Sequence, residues 1–96
     1  MFARVSTYRG APSQLDAGAR IVEQTGERVR GLAGFKGAYL LVDRQSGKCV
    51  TITLWESEQA VRESAAAANP LRDQVAQALG AAEPATVDVY EVAVQI

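Results

Sequence analysis

The sequence contains no histidine. That absence removes imidazole-ligated zinc and haem, and every nucleophilic triad whose base is a histidine. There is one cysteine, Cys49, so no intrachain disulfide can form. A lone thiol suits a reducing compartment, and without an imidazole partner it reads as a packed group rather than a catalytic thiolate. Positive charge is not in excess. Ten Lys plus Arg stand against eleven Asp plus Glu, a net charge of −1. Nucleic acid is therefore not an expected partner, because binding it takes a concentrated positive field. No window approaches the roughly 18 uncharged apolar residues of a membrane helix. Arg4 and Arg9 interrupt any leader-like stretch near the start. These absences lead us to expect a cytoplasmic, unprocessed chain with no membrane partner, no metal site and no resident cofactor.

What remains is ordinary for a folded domain: 48% hydrophobic and 22% charged residues in 96 positions. That length suits a single domain over residues 1–96 with one modest core. Residues 2 to 9 are rich in strand formers, and Ala11-Pro12-Ser13 ends the run. Ser13 with Asp16 forms a weak capping box for a helix reaching about Arg30, whose apolar face is Leu15, Ala19, Val22, Gly26 and Val29. Gly31, Gly34 and Gly37 lead into a second strand over 36–43. The polar run 43–48, ending in Gly47-Lys48, reads as a hairpin turn, and Cys49 to Trp55 alternates as a third strand. Ser57 caps the next helix. Asn69-Pro70 is expected to break that helix and begin another, which Gly80 closes. A last strand follows over 85–95.

Strand, helix, strand, strand, helix, strand is the ferredoxin-like βαββαβ order of an α+β fold. It predicts a four-stranded antiparallel sheet in the order 4-1-3-2 with both helices on one face. An even-numbered turn at 43–48 puts odd positions of strand two beside even positions of strand three. Tyr39, Leu41, Val50, Ile52 and Leu54 then share one face, and apolarity marks it as the side under the helices, with Ala3, Val5, Val87 and Val89. The other face receives Arg4, Ser6, Tyr8, Ala38, Leu40, Val42, Cys49, Thr51, Thr53 and Trp55, joined by Asp88, Tyr90 and Val92. Left bare, that second face would form a contiguous patch, and a second copy of the chain is its simplest cover.

The segments Gly34-Phe35-Lys36-Gly37, Val42-Asp43-Arg44-Gln45-Ser46-Gly47-Lys48 and Thr53-Leu54-Trp55-Glu56-Ser57-Glu58-Gln59-Ala60, with this element order, resemble the antibiotic biosynthesis monooxygenase-like proteins of the dimeric α+β barrel superfamily. The resemblance implies a homodimer, a pocket between sheet and helices or inside the barrel, and in some members cofactor-free oxygenation of electron-rich aromatics or haem breakdown. Many members carry a histidine in the helix after strand three, where this chain has Glu63-Ser64. Haem-degrading members use a strand-one asparagine and a histidine, where this chain offers Arg4, Ser6 and Tyr8.

Five residues are candidates for a site because strand parity assigns them to one face. Trp55, Tyr8 and Tyr90 would bind an aromatic substrate, as a stacking wall and through two hydroxyls, or else simply fill core and interface. Arg4 and Asp88 are the catalytic candidates: a hold on a substrate anion and an acceptor for a phenolic proton, or else an ion pair across neighbouring strands. The expected function is a small cofactor-independent monooxygenase acting on a phenol- or quinol-type metabolite. The alternatives are a non-catalytic dimer that binds a small ligand or serves in a stress response, and a ligand-sensing module of the same topology.

Overall fold

Alternating β-branched and aromatic residues form the first strand, β1 (Phe2–Arg9), and Gly10 ends it. A computed structural model describes residues 1–96. After a 3-10 turn at Pro12–Gln14 come α1 (Leu15–Arg30), β2 (Phe35–Val42), β3 (Lys48–Trp55), α2 (Glu58–Ala78) and β4 (Thr86–Glu91). The sheet runs β2-β3-β1-β4, the expected order read from its other edge, and all three pairings are antiparallel. No helix is long and apolar enough to cross a membrane.

The hairpin between β2 and β3 closes as an even loop. Asp43 N–H donates to the Lys48 carbonyl at 2.8 Å. The Asp43 carboxylate accepts from the backbone N–H groups of Gln45 (3.0 Å) and Ser46 (3.4 Å). Those bonds, the Gln45 N–H first, hold its carboxyl below the usual aspartate range. Gly47 takes the left-handed φ of +82°, and a Cβ there would run into the Gly10 carbonyl. The loop therefore depends on glycine twice over, for its backbone angle and for its close approach to β1.

Several local expectations are corrected. Ser13 does not cap α1, whose entry is the 3-10 turn with Pro12 at its start and no side-chain cap. Pro70 does not break the second helix; α2 runs through it. Proline forfeits one backbone bond there, but Ala60, Val61 and Ser64 before it and Leu71 and Val75 after it are all buried, so packing holds both halves as one rod. Asn69 accepts a hydrogen bond from Arg72 Nη1 at 2.9 Å instead of starting a new helix. Ser57 does cap α2, accepting from Ala60 N–H at 3.1 Å. The last strand is shorter than expected, ending at Glu91.

The larger correction concerns which face lies under the helices. Arg4 pairs with Thr53 and Thr53 with Ala38, Ser6 with Thr51 and Thr51 with Leu40, as the even turn requires. It is this more polar face that meets α1 and α2. Tyr8 and Cys49 pack with Leu15, Val75 and Leu79. Trp55 packs with Ala60 and Val61 and is fully buried. The more apolar face, Ala3, Val5, Tyr39, Leu41, Val50, Ile52 and Leu54, points away. Tyr39 is 62% exposed and Leu41 50%. Apolarity misled because the space under the helices is not all core: part of it is a cavity whose floor on the sheet is polar.

β4 is also offset by one residue from the expected parity. Val89 lies opposite Arg4 and Val87 opposite Ser6, while Asp88 lies opposite Val5 and Tyr90 opposite Ala3. Every residue of β4 is exposed, Val87 and Val89 included, so burial leaves no alternating mark on this edge strand.

Candidate functional site

The cavity of about 330 Å³ lies between the sheet and the two helices. Its floor is the polar face of β1 and β3: Arg4, Ser6, Tyr8, Thr51 and Thr53. Its walls come from α1, with Val22, Thr25, Gly26 and Val29, and from α2, with Ala68, Leu71, Arg72 and Val75. On α2 those four positions follow i, i+3, i+4 and i+7, one helical face. Gly26 has nothing within 4 Å of where a Cβ would stand, so its missing side chain leaves room in the cavity. Gly18, a little over two turns earlier, does the opposite work. A Cβ there would collide with the Leu79 side chain, so glycine lets α1 close onto α2 at that end.

Arg4 is the most constrained group in the site. Only 6% of it is exposed. Its Nη2 donates to the Val61 carbonyl and, at 2.8 Å, to Ser64 Oγ, tying β1 to α2. Ser64 Oγ in turn donates to the Val61 carbonyl at 2.8 Å. The guanidinium lies 5.5 Å from the centre of the Trp55 ring, within cation–π range. Burial, and then the charge of Arg72, lower the affinity of Arg4 for its proton, but a guanidinium stays charged in proteins. Tyr8 is held neutral further up the pH scale than usual. Burial is the largest cause, partly offset by a hydrogen bond with Thr51 and by the Arg72 charge. Burial likewise raises the Cys49 thiol, which removes thiolate character.

The five residues singled out in the sequence are thus divided. Arg4 and Tyr8 line the cavity. Trp55 sits behind Arg4, outside the cavity lining, edge-on to Phe35 at 5.6 Å, with Nε1 donating to Thr53 Oγ1 at 2.8 Å. Asp88 and Tyr90 stand on the outer face of β4, opposite Val5 and Ala3, and no ion pair joins Asp88 to Arg4. Sequence reasoning passed over Arg72 and Thr25. The signal for Arg72 was present in its spacing from Ala68 and Val75, but its charge argued for solvent.

No family model matches the sequence. The uncharacterized protein Rv2557 of Mycobacterium tuberculosis is 34% identical over 94 residues, covering 97% of this chain. The chain spans about two-fifths of the length of that relative (41%). Among solved structures, the monooxygenase ActVA-Orf6 of Streptomyces coelicolor, solved with nanaomycin D, superposes with a TM-score of 0.76 at 23% identity, covering 99% of this chain and 89% of that one. SnoaB, a cofactor-independent oxygenase of Streptomyces nogalater, gives a TM-score of 0.69 at 20% identity, covering 99% of this chain and 93% of that one. The fold is that of the antibiotic biosynthesis monooxygenases, as the sequence motifs led us to expect.

Proposed function

We propose that this chain binds a small aromatic metabolite in the cavity between sheet and helices and oxygenates it without a cofactor. One observation carries the reading. The chain turns its more polar sheet face inward, under the helices, and keeps about 330 Å³ there empty of side chains. A small domain has little core to spare, so leaving that volume unfilled is costly unless something occupies it. Aliphatic walls with a few polar groups on one side are the usual make-up of a small-molecule site. The likeness to ActVA-Orf6 and SnoaB supports oxygenation as the chemistry.

In this reading Arg4 and Arg72 stabilise negative charge on a bound phenol and so favour its phenolate, with water accepting the proton. Tyr8, kept neutral, donates a hydrogen bond to a substrate oxygen. The electron-rich anion then reacts with dioxygen. One oxygen atom joins the ring and replaces hydrogen to give a quinone; the other leaves as water. The substrate supplies all four electrons. A second reading has its own support: no carboxylate or imidazole lines the cavity to serve as a base. Under it the chain binds the same ligand class without turnover.

We also propose a homodimer formed through the outer sheet face. Val5, Tyr39, Leu41 and Ile52 make an apolar strip that a twofold axis can set against itself. Oxygen uptake with hydroxylated naphthalenes and anthracenes, beside calorimetric binding, tests the functional reading. Binding with uptake of one dioxygen per molecule supports the oxygenase, and binding without uptake supports the second reading. No binding, or binding that survives Gly26→Leu unchanged, contradicts both, because that leucine would fill the cavity.

A further inference from the structure

We infer that the ligand of this cavity is an organic acid, an aryl carboxylate, held at the end formed by Arg4 and Arg72. The inference rests on the cavity being the binding site. Three arginines line it, Arg4, Arg30 and Arg72, and no Asp or Glu does. The whole chain carries a net charge of −1. The cationic lining is therefore a local segregation of charge and does not follow from composition.

Arg4 makes the case strongest. It is almost fully buried, yet no carboxylate lies within ion-pairing distance of it. The three ion pairs of the structure join Arg30 to Glu27, Arg44 to Asp16 and Arg62 to Glu58. A buried charge without a counter-charge is costly. The neutral partners of Arg4, the Val61 carbonyl and Ser64, occupy Nη2 alone. Every fully buried polar side-chain atom has a hydrogen-bond partner, so Nε and Nη1, which have none, are not sealed off, and Arg4 lines the cavity. Arg72 adds to the imbalance. Its charge acts on Arg4 and on Tyr8, and its own partner is the neutral amide of Asn69. Arg30 stands at the exposed rim, paired at 3.6 Å with Glu27. Asp73, exposed and outside the lining, is the one carboxylate whose charge reaches Tyr8.

A carboxylate from outside supplies what the fold omits. Guanidinium groups bind it through planar, charge-assisted pairs of hydrogen bonds. The hydroxyls of Ser6, Tyr8 and Thr51 on the same floor then face the rest of the ligand and fit a ring hydroxyl beside the acid. A volume of about 330 Å³ is at the small end for ligand pockets and suits one or two fused rings.

The test compares a hydroxynaphthoate with its carboxamide, the same shape without the charge, by isothermal titration. The acid is expected to bind at least about tenfold more tightly. Arg4→Met combined with Arg72→Gln should bring the two ligands within about twofold of each other, while Arg44→Gln, which removes an arginine on the exterior, should leave the preference intact. Circular dichroism checks that each variant is folded. Equal affinity for acid and amide, or a preference that persists in the Arg4→Met, Arg72→Gln double variant, overturns the acid assignment while leaving the cavity as the binding site. Failure of both ligands to bind overturns the acid assignment and the cavity reading together.

Discussion

The Arg4 guanidinium rests 5.5 Å from the centre of the Trp55 ring, and Arg4 lines the cavity while Trp55 does not. The one indole of the chain is therefore a second-hand reporter: it senses the charge in the cavity through Arg4, without touching a ligand. Trp55 emission should be blue-shifted and resist iodide quenching, since the ring is fully buried. Ligand binding should alter its intensity, and Arg4→Met should abolish that response. A ligand response that persists in Arg4→Met would show that the ring meets the ligand directly.

Arg4→Met should also stabilise the chain. It removes a buried charge that has no counter-charge and keeps a side chain of similar length. Replacing buried charges by apolar groups is often stabilising by about 1–4 kcal/mol. The two acceptors left behind, Ser64 Oγ and the Val61 carbonyl, retain their mutual hydrogen bond. We expect a rise in Tm of several degrees together with loss of aromatic-acid binding, a trade of function for stability. A fall in Tm would mean that the Arg4 bonds to α2 outweigh its desolvation.

Two glycines of α1 should respond in opposite directions to alanine. Gly26→Ala gains helix propensity in open space, worth about 0.5–1 kcal/mol. Gly18→Ala gains the same propensity but forces its methyl group into Leu79, a fully buried side chain. Overpacking of that kind costs about 1–3 kcal/mol, so the net change should be destabilising. Urea melts of both variants measure the difference. Equal effects would mean that α1 shifts freely over α2.

Stability should fall on the alkaline side earlier than on surface titration alone. The Tyr8 phenol and the Cys49 thiol are both raised in the fold by burial. A group whose folded pKa exceeds its unfolded value favours the folded state below the unfolded pKa. That contribution disappears as pH rises through the folded value. The window therefore opens near pH 8.5 for the thiol and near 10 for the phenol, about their ordinary values, and extends upward. Cys49→Ala with Tyr8→Phe should flatten Tm between pH 8 and 11, about one unit either side of those values. An unchanged alkaline slope would place the titrating group elsewhere.

The outer sheet face should govern association. Leu41→Asp places a charge on an exposed position of β2 and should leave the fold intact while converting a dimer to a monomer. Light scattering should move from about twice the 10.2 kDa chain mass to that mass. Leu40, which packs against the cluster of Tyr8 and Leu79 under the helices, should instead unfold the chain when made Asp. Dissociation with retained fold at Leu40 and none at Leu41 would reverse the assignment of faces.

The strand order, the even hairpin at Asp43–Lys48 and the Ser57 cap were legible because each rests on a local signal. A turn of fixed length locks β2 to β3, and an N-cap acts within one helical turn. Which sheet face lies under the helices was not legible. Apolarity marked Tyr39, Leu41 and Ile52 as core, because the count presumed that the space beneath the helices is filled. A cavity floor rich in hydroxyls, with Arg4 held there by α2, inverts that inference. The parity of β4 was not legible either: no short turn ties β4 to β1, and its alternate positions are all exposed. Two of the five candidate site residues were misplaced by that parity. Arg4 and Tyr8 share a strand, so their common face survives any error of register, whereas Asp88 and Tyr90 move to the other face with a shift of one residue. Pro70 misled because burial on both sides of it outweighs one lost backbone bond.

The place where a ligand binds separates the cavity from the outer sheet face most directly. A titration of isotope-labelled protein with a hydroxynaphthoate, followed by amide chemical shifts, locates it residue by residue. Shifts are expected to concentrate at Tyr8, Thr25, Thr51 and Arg72, around the cavity, with Leu41 and Asp88 unmoved. Shifts confined to Leu41, Ile52 and Asp88 would place the ligand on the outer face and contradict binding in the cavity.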